Sequence, residues 1–165
     1  MLRFALTGGI ACGKSLVGEF LQEREIPVCD TDKLAHTLLE IGQESYHEIV
    51  QAFGPTILRP DGSIDRTRLG RSVFLNDAEL KKLNAIMHPR VGKMWRDWVQ
   101  SQQDEGHRAV VVIIPLLFEV GADDGWDGII CVTSPKALQI DRLLKRGLSK
   151  TEALNRIKAQ LPTED

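Results

Sequence analysis

Short runs of consecutive apolar residues alternate along this chain with segments in which apolar residues recur every three or four positions. The uninterrupted runs predict strands that are buried on both faces, as in parallel sheets. They lie at residues 3–7, 27–30, 109–114 and 129–132. Between the first two, helical spacing over residues 14–24 gives the order strand, loop, helix, strand, which implies a right-handed parallel unit. The pattern therefore predicts an α/β fold.

The pattern changes to helices and turns between the second and third predicted strands. Helical spacing predicts helices over residues 33–40, 43–53, 67–74 and 77–87. Pro89 is expected to stop the last of them, because proline lacks the N–H that a helix interior needs. This stretch exceeds a single crossover helix, so we interpret residues 33–106 as a helical insertion that can recognise a substrate.

Residues 8–15 match the pattern G-x-x-x-x-G-K-[ST] between a predicted strand and a predicted helix. Gly8 and Gly13 permit backbone angles and close approaches that side chains would forbid. The loop amides and the positive end of the following helix can then hold a polyphosphate. Lys14 can reach the β- and γ-phosphates, and the Ser15 hydroxyl is placed for Mg²⁺. The alternative is a glycine-rich turn with a solvated lysine.

Composition narrows the choice of partners. The 165 residues suffice for one domain, and the net charge of −2 gives no global reason to expect nucleic acid or an anionic membrane. No stretch reaches the roughly 18 apolar residues of a membrane span. The three cysteines are widely spaced, which fits neither a disulfide framework nor a zinc site and favours the cytoplasm.

Two carboxylates close the second predicted strand, Asp30 and Asp32. Ligands of α/β proteins bind at this edge of the sheet. Two residues apart, they would face opposite ways in a continuing strand, which suggests different roles. Asp32 could accept a proton from an attacking hydroxyl or could be a helix N-cap, and Asp30 could orient water or metal. No guanine signature or D-x-x-G switch of a GTPase occurs in the sequence.

Taken in order, the motifs resemble the dephospho-coenzyme A kinase family over nearly the whole chain. They are TGGIACGKS at residues 7–15, D-x-D at 30–32, FGPTILRPDGSIDRTRLGRSVF at 53–74, His88-Pro89, PLLFE at 115–119 and DRLLKR at 141–146.

That resemblance implies a P-loop NTPase three-layer sandwich with a parallel sheet of strand order 2-3-1-4-5. It also implies that residues 1–165 form a single kinase domain, with an acceptor-binding insertion at 33–106 and a helical lid at 134–160. The lid region carries seven basic and two acidic residues. The expected reaction moves the γ-phosphate of ATP to the ribose 3'-hydroxyl of dephospho-coenzyme A, and the expected substrates are those two small molecules.

The same resemblance assigns roles to individual residues. Asp32 would be the general base and would contact the acceptor together with His88. Arg142 would neutralise the transferring phosphate, and Ser15 would hold the Mg²⁺ that accompanies ATP. The expected catalytic residues are Asp32, Lys14 and Arg142; the expected ATP-binding residues are Gly8, Gly9, Ala11, Cys12, Gly13, Lys14, Ser15, Leu16 and Arg146.

The sequence departs from the family pattern in three ways. Ile113 stands where the family often has an acidic residue, so Mg²⁺ would depend on Ser15, phosphates, water and Asp30 or Asp32, with Glu119 a remote candidate. Cys12 replaces the more usual Gly or Ser, either as a tolerated small residue or as a reactive thiol. The family usually continues beyond the final QLPTED through another strand and helix, which we expect to be missing here.

Two other functions fit the same motifs. The first is a P-loop kinase acting on a nucleotide or nucleoside. The second is a nucleotide-binding module without turnover, which the apolar Ile113 would favour. The oligomeric state is not predicted.

Overall fold

The computed structural model describes residues 1–74 and 76–161, and its strands agree with the predicted positions to within one residue at each end. The strands are β1 (Leu2–Thr7), β2 (Val28–Asp30), β3 (Ala109–Ile113) and β4 (Gly128–Cys131). Each is short and apolar, as expected for strands at the centre of an α/β domain.

The strands form one parallel sheet in the order β2-β3-β1-β4. This order confirms the α/β class and the first four positions of the predicted 2-3-1-4-5 arrangement. The described residues contain no fifth strand, and the last four residues of QLPTED lie outside them. The register pairs Asp30 with Ile113 and Cys131 with Thr7, so the carboxyl ends of all four strands share one edge of the sheet.

The core of the sheet is β3, whose residues 110–113 are at most 4% exposed. Because side chains alternate between faces, this uniform burial means that both faces of the strand are covered. On one face, helix α1 (Lys14–Gln22) packs Val17 and Leu21 against Ile113 and its neighbours. Gly18 allows this close packing: a Cβ at that position would lie 2.9 Å from Ile113 Cδ1.

The chain divides into two compact units, one formed by Met1–Thr31 with the segment from Trp98 onward, the other by Asp32–Asp97. The second unit is helical. Its elements are α2 (Thr31–Thr37, which starts one residue before it), α3 (Glu44–Phe53), a 3-10 turn (Pro55–Ile57), α4 (Arg66–Phe74) and the first part of α5 (Asp77–Asp104). Its own core contains Leu38, Ile49, Ile57, Ile64, Leu69, Val73 and Met87. The limits of an acceptor-binding insertion at residues 33–106 stay a prediction.

The expected end of a helix at Pro89 is wrong, because α5 runs through Pro89 to Asp104. A proline inside a helix costs roughly 3 kcal/mol. Buried and half-buried apolar side chains on both sides of it, Met87 before and Val91 and Met94 after, pack into the same core and offset that cost. The helix therefore continues because packing outweighs the lost hydrogen bond.

Two helices close the described chain, α6 (Lys136–Lys145) and α7 (Lys150–Lys158). Ser149 and Glu152 form a reciprocal capping box at the start of α7, which satisfies two amides that a helix end leaves unpaired. Buried Leu143 and Ala153 join the two helices. Among residues 1–74 and 76–161, no helix is both long and apolar enough to span a membrane.

We predict that Gly18→Val destabilises the protein by about 1–3 kcal/mol, because the added atoms must displace Ile113 in a packed core. Gly70→Val is the matched control: Gly70 is also helical, but a Cβ there would meet nothing within 4 Å. Urea unfolding monitored by circular dichroism measures both variants. Equal free energies of unfolding for the two variants would contradict the close packing of α1 on β3.

Candidate active site

The loop between β1 and α1 begins with a glycine that no other residue can replace. Gly8 has a φ of 138°, and a Cβ there would lie 2.1 Å from the carbonyl oxygen of Val132. The Val132 amide in turn donates to the carbonyl oxygen of Thr7 at 2.8 Å, which holds the two main chains together. The approach of Val132 thus fixes where the loop leaves the sheet.

The loop ends at a second glycine, which caps α1. Gly13 has a φ of 111° and makes no side-chain cap hydrogen bond. The first turn of a helix has amides without intrahelical partners and carries the positive end of the helix dipole. Since Gly13 supplies no capping side chain, these groups form a site that suits an anion.

Lys14 lies across the loop. Its Nζ donates to the carbonyl oxygen of Gly8 at 2.6 Å and to that of Gly9 at 3.0 Å. The ammonium group is therefore held over the loop by two of its carbonyl oxygens. Ser15 and Leu16 follow in the first turn and are exposed.

Three successive loop residues are held by side chains from distant parts of the sequence. The Ile10 amide donates to Gln160 Oε1 at 2.6 Å, Arg142 Nη1 donates to the carbonyl oxygen of Ala11 at 2.8 Å, and Gln139 Nε2 donates to Cys12 Sγ at 3.2 Å.

The middle residue of the three, Ala11, has a φ of 59°. This left-handed conformation costs a residue other than glycine roughly 1–2 kcal/mol. Ala11 is also buried against Leu143 and Ala153 of the last two helices. The polar and apolar contacts together offset the backbone strain.

The two arginines expected at the lid differ in position. Arg142 reaches the loop directly, as described above. Arg146 is the C-cap residue of α6 and is exposed, and its backbone amide donates to the carbonyl oxygens of Arg142 and Leu143. A contact between Arg146 and a nucleotide stays a prediction.

Asp30 and Asp32 do not lie on one continuous strand. Asp30 is the last strand residue and α2 begins at Thr31, whose hydroxyl donates to the carbonyl oxygen of Ile113 at 2.9 Å. Asp32 is therefore in the first helical turn and is exposed, so the alternative that made it an N-cap is wrong. The cause is the early start of α2, at the point where Thr31 binds the neighbouring strand.

His88 lies in α5, within the second compact unit, and is exposed. Because α5 does not end at Pro89, His88 is a residue of a helix interior rather than of a helix terminus. Its contact with an acceptor stays a prediction.

Among the residues that the structure describes, few are placed to hold Mg²⁺, and this ion needs few protein ligands. Mg²⁺ takes one or two protein oxygens and completes its shell with phosphates and water, so the exposed Ser15 hydroxyl beside Lys14 suits it. Ile113 is buried, but its register partner Asp30 places a carboxylate on the adjacent strand. Across the described part of the chain, no three acidic, histidine or cysteine side chains cluster as a metal site, and Glu119 accepts the Leu161 amide at 3.2 Å.

Sequence reasoning missed Gln139 and Gln160. Gln139 precedes Arg142 by three positions, so both lie on one face of α6. A second polar residue on the face of Arg142 was the signal that could have identified Gln139. Gln160 gives no local signal, since 150 residues separate it from its partner Ile10.

We predict that bound ATP slows labelling of Cys12 by a thiol reagent at least several-fold, because Cys12 lies in the loop and is only 5% exposed. Cys131→Ser removes the exposed thiol that would mask the signal. Cys29 stays silent because burial and the nearby Asp30 raise its pKa to about 12, so that it remains a neutral thiol at pH 8. Labelling at the same rate with and without ATP, followed by mass spectrometry, would place the nucleotide elsewhere.

Comparison with known proteins places the chain in a family. The sequence model described as dephospho-CoA kinase matches residues 2–165. A dephospho-CoA kinase of Bacillus licheniformis is 46% identical over 164 residues, covering 96% of this chain and 80% of that protein, and one of Lactobacillus johnsonii is 41% identical over 161 residues, covering 97% and 81%.

Solved structures agree with this assignment. TT1252 from Thermus thermophilus superposes with a TM-score of 0.86 at 34% identity, covering 99% of this chain and 82% of that one. Dephospho-CoA kinase from Campylobacter jejuni gives a TM-score of 0.66 at 32% identity, covering 96% and 79%. The resemblance drawn from the motifs is confirmed, and the chain belongs to the dephospho-CoA kinase family.

Proposed function

We propose that this protein transfers the γ-phosphate of ATP to the ribose 3'-hydroxyl of dephospho-CoA, giving CoA and ADP. The family assignment supports the reaction and its two substrates. The observation that carries the proposal is the loop itself: Gly8 against Val132, an uncapped α1, and Lys14 across the loop form a cradle for a polyphosphate.

Phosphate binding follows from the charges on this loop. A triphosphate oxygen is a stronger acceptor for an ammonium group than a backbone carbonyl, since charge-assisted hydrogen bonds are about twice as strong as neutral ones. Lys14 would therefore exchange the Gly8 and Gly9 carbonyls for β- and γ-phosphate oxygens, while the first-turn amides of α1 hold the phosphates from the other side.

Mg²⁺ would be held by the Ser15 hydroxyl, with Asp30 as the carboxylate that replaces the acid absent at Ile113. When bound, the ion neutralises phosphate charge. The Ser15 hydroxyl would bind the ion, and Asp30 would supply a negative charge at the carboxyl edge of the sheet, where β2 and β3 both end.

Asp32 would take the proton of the attacking 3'-hydroxyl. General base catalysis of this kind contributes about 10²- to 10⁴-fold to a rate. Asp32 is exposed to incoming substrate and lies in the first turn of α2.

Arg142 would stabilise the transferring phosphoryl group. Its guanidinium already lies at the loop, bonded through Nη1 to the carbonyl oxygen of Ala11. A guanidinium has five N–H donors in a planar fork, so one bond to the loop leaves others for phosphate oxygens. Exposed Arg146 would add positive charge nearby, and exposed His88 would contact the acceptor.

We predict that incubation with ATP, Mg²⁺ and dephospho-CoA yields CoA with the new phosphate on the ribose 3'-oxygen. Chromatography with mass spectrometry detects the product, and ³¹P NMR locates the phosphate. A panel of nucleosides and nucleoside monophosphates serves as the control. Phosphorylation of that panel but not of dephospho-CoA would replace this proposal with another small-molecule kinase, and binding of ATP with no product from either would replace it with a non-catalytic module.

We predict that Asp32→Asn lowers kcat about 10²- to 10⁴-fold, because asparagine cannot accept the proton. Affinity for an ATP analogue should stay within twofold of wild type, since the phosphate loop is unaltered. Glu40→Gln is the matched control, because it neutralises another exposed carboxylate of the helical unit. Steady-state kinetics and calorimetry measure the two quantities, and full kcat in Asp32→Asn would remove Asp32 from the role of base.

A further inference from the structure

Residues 10–12 of the phosphate loop each bind one side chain from the last two helices or their end. Gln160 accepts from the Ile10 amide, Arg142 donates to the Ala11 carbonyl, and Gln139 donates to Cys12 Sγ. Arg142 belongs to the proposed catalytic machinery, whereas no role has been given to the two glutamines.

We infer that Gln139 and Gln160 are positioning residues for ATP, which hold the loop from behind in the conformation that binds phosphate. The inference rests on the proposed function only in taking ATP as the nucleotide. Neither glutamine needs to touch ATP for this role, because each acts through the loop residue that it binds.

The two glutamine bonds flank a strained residue. Ala11 is left-handed, with a φ of 59°, and lies between Ile10 and Cys12, which Gln160 and Gln139 hold. Fixing both neighbours limits the rotation by which Ala11 could relax to a conformation that L-residues prefer.

Both glutamines are themselves well placed to hold the loop. Gln139 is only 7% exposed, and its Nε2 also donates to the carbonyl oxygen of Ser134 at 2.9 Å. Gln160 makes the shortest of the three bonds, 2.6 Å, and directly follows the turn that ends α7. The loop is thereby bound at two points to helices that pack on it through Ala11, Leu143 and Ala153.

A loop freed from these bonds must be ordered again when ATP binds, and the cost of ordering appears as lost affinity. Once ATP is bound, the loop has the same shape in the variant and in the wild type. The inference therefore predicts a change in the Kd and KM of ATP with little change in kcat.

The test uses two single variants of the full chain. Gln160→Leu removes the acceptor of the Ile10 amide. Asn155→Leu is the matched control, since it removes an exposed carboxamide from the same terminal helix. Calorimetry with a non-hydrolysable ATP analogue and Mg²⁺ gives Kd, and steady-state kinetics gives KM and kcat.

We expect Gln160→Leu to weaken analogue binding about 5- to 10-fold, the effect of one lost hydrogen bond. The KM for ATP should rise by the same factor while kcat stays within twofold. Asn155→Leu should bind the analogue within about twofold of wild type. Wild-type affinity in Gln160→Leu would overturn the inference, and so would a fall in kcat at unchanged KM.

A second measurement does not require ATP binding or turnover. In a Cys131→Ser background, Gln139→Leu should speed thiol labelling of Cys12 several-fold, because Cys12 is buried and Gln139 binds its sulfur. Unchanged labelling in a variant whose circular dichroism and thermal unfolding match wild type would overturn the role of Gln139.

The outcomes separate this inference from the proposed function. Analogue binding that depends on Gln160, with no phosphorylation of dephospho-CoA by the wild type, would refute the proposed function and support the positioning role. Turnover of dephospho-CoA with no dependence on either glutamine would support the proposed function and refute the positioning role.

Discussion

The geometry of the active site depends on how closely the backbone of Gly8 approaches that of Val132. Val132, just beyond β4, lies against Gly8 so tightly that even a methyl group would not fit. Pairing of β4 with β1 brings Val132 to this position, and a hydrogen bond to Thr7 holds it there. The chain must therefore turn away from the sheet at Gly8, and the loop and α1 follow from that turn. Strand pairing and phosphate binding thus depend on the same contact.

Support for the phosphate loop comes from the other end of the described chain. Gln139, Arg142 and Gln160 bind three consecutive loop residues, and Ala11 packs in a buried apolar cluster with Leu143 and Ala153. A left-handed alanine is tolerated because these contacts are stronger than its strain. If α6 and α7 form the proposed lid, they have two roles, one toward the nucleotide and one toward the loop that holds it.

Sequence reasoning located the strands and the loop because both depend on local patterns. Continuous apolar runs predicted every strand of the described sheet, and the spacing from Gly8 to Ser15 predicted the loop. It failed at Pro89, where packing on both sides outweighs a local helix breaker, and at the start of α2, where Thr31 binds a neighbouring strand. Gln160 could not be predicted at all, because its partner is far away in sequence and no periodicity links the two.

A structure of the protein with a non-hydrolysable ATP analogue and Mg²⁺ would show whether this loop holds the phosphates of the nucleotide. We expect the β- and γ-phosphates to lie against the amides at the start of α1 and Lys14 Nζ to leave the Gly8 and Gly9 carbonyls and bind them. The Gln160 bond to the Ile10 amide should persist. An analogue bound elsewhere, with Lys14 still donating to Gly8 and Gly9, would show that the loop is not a phosphate site.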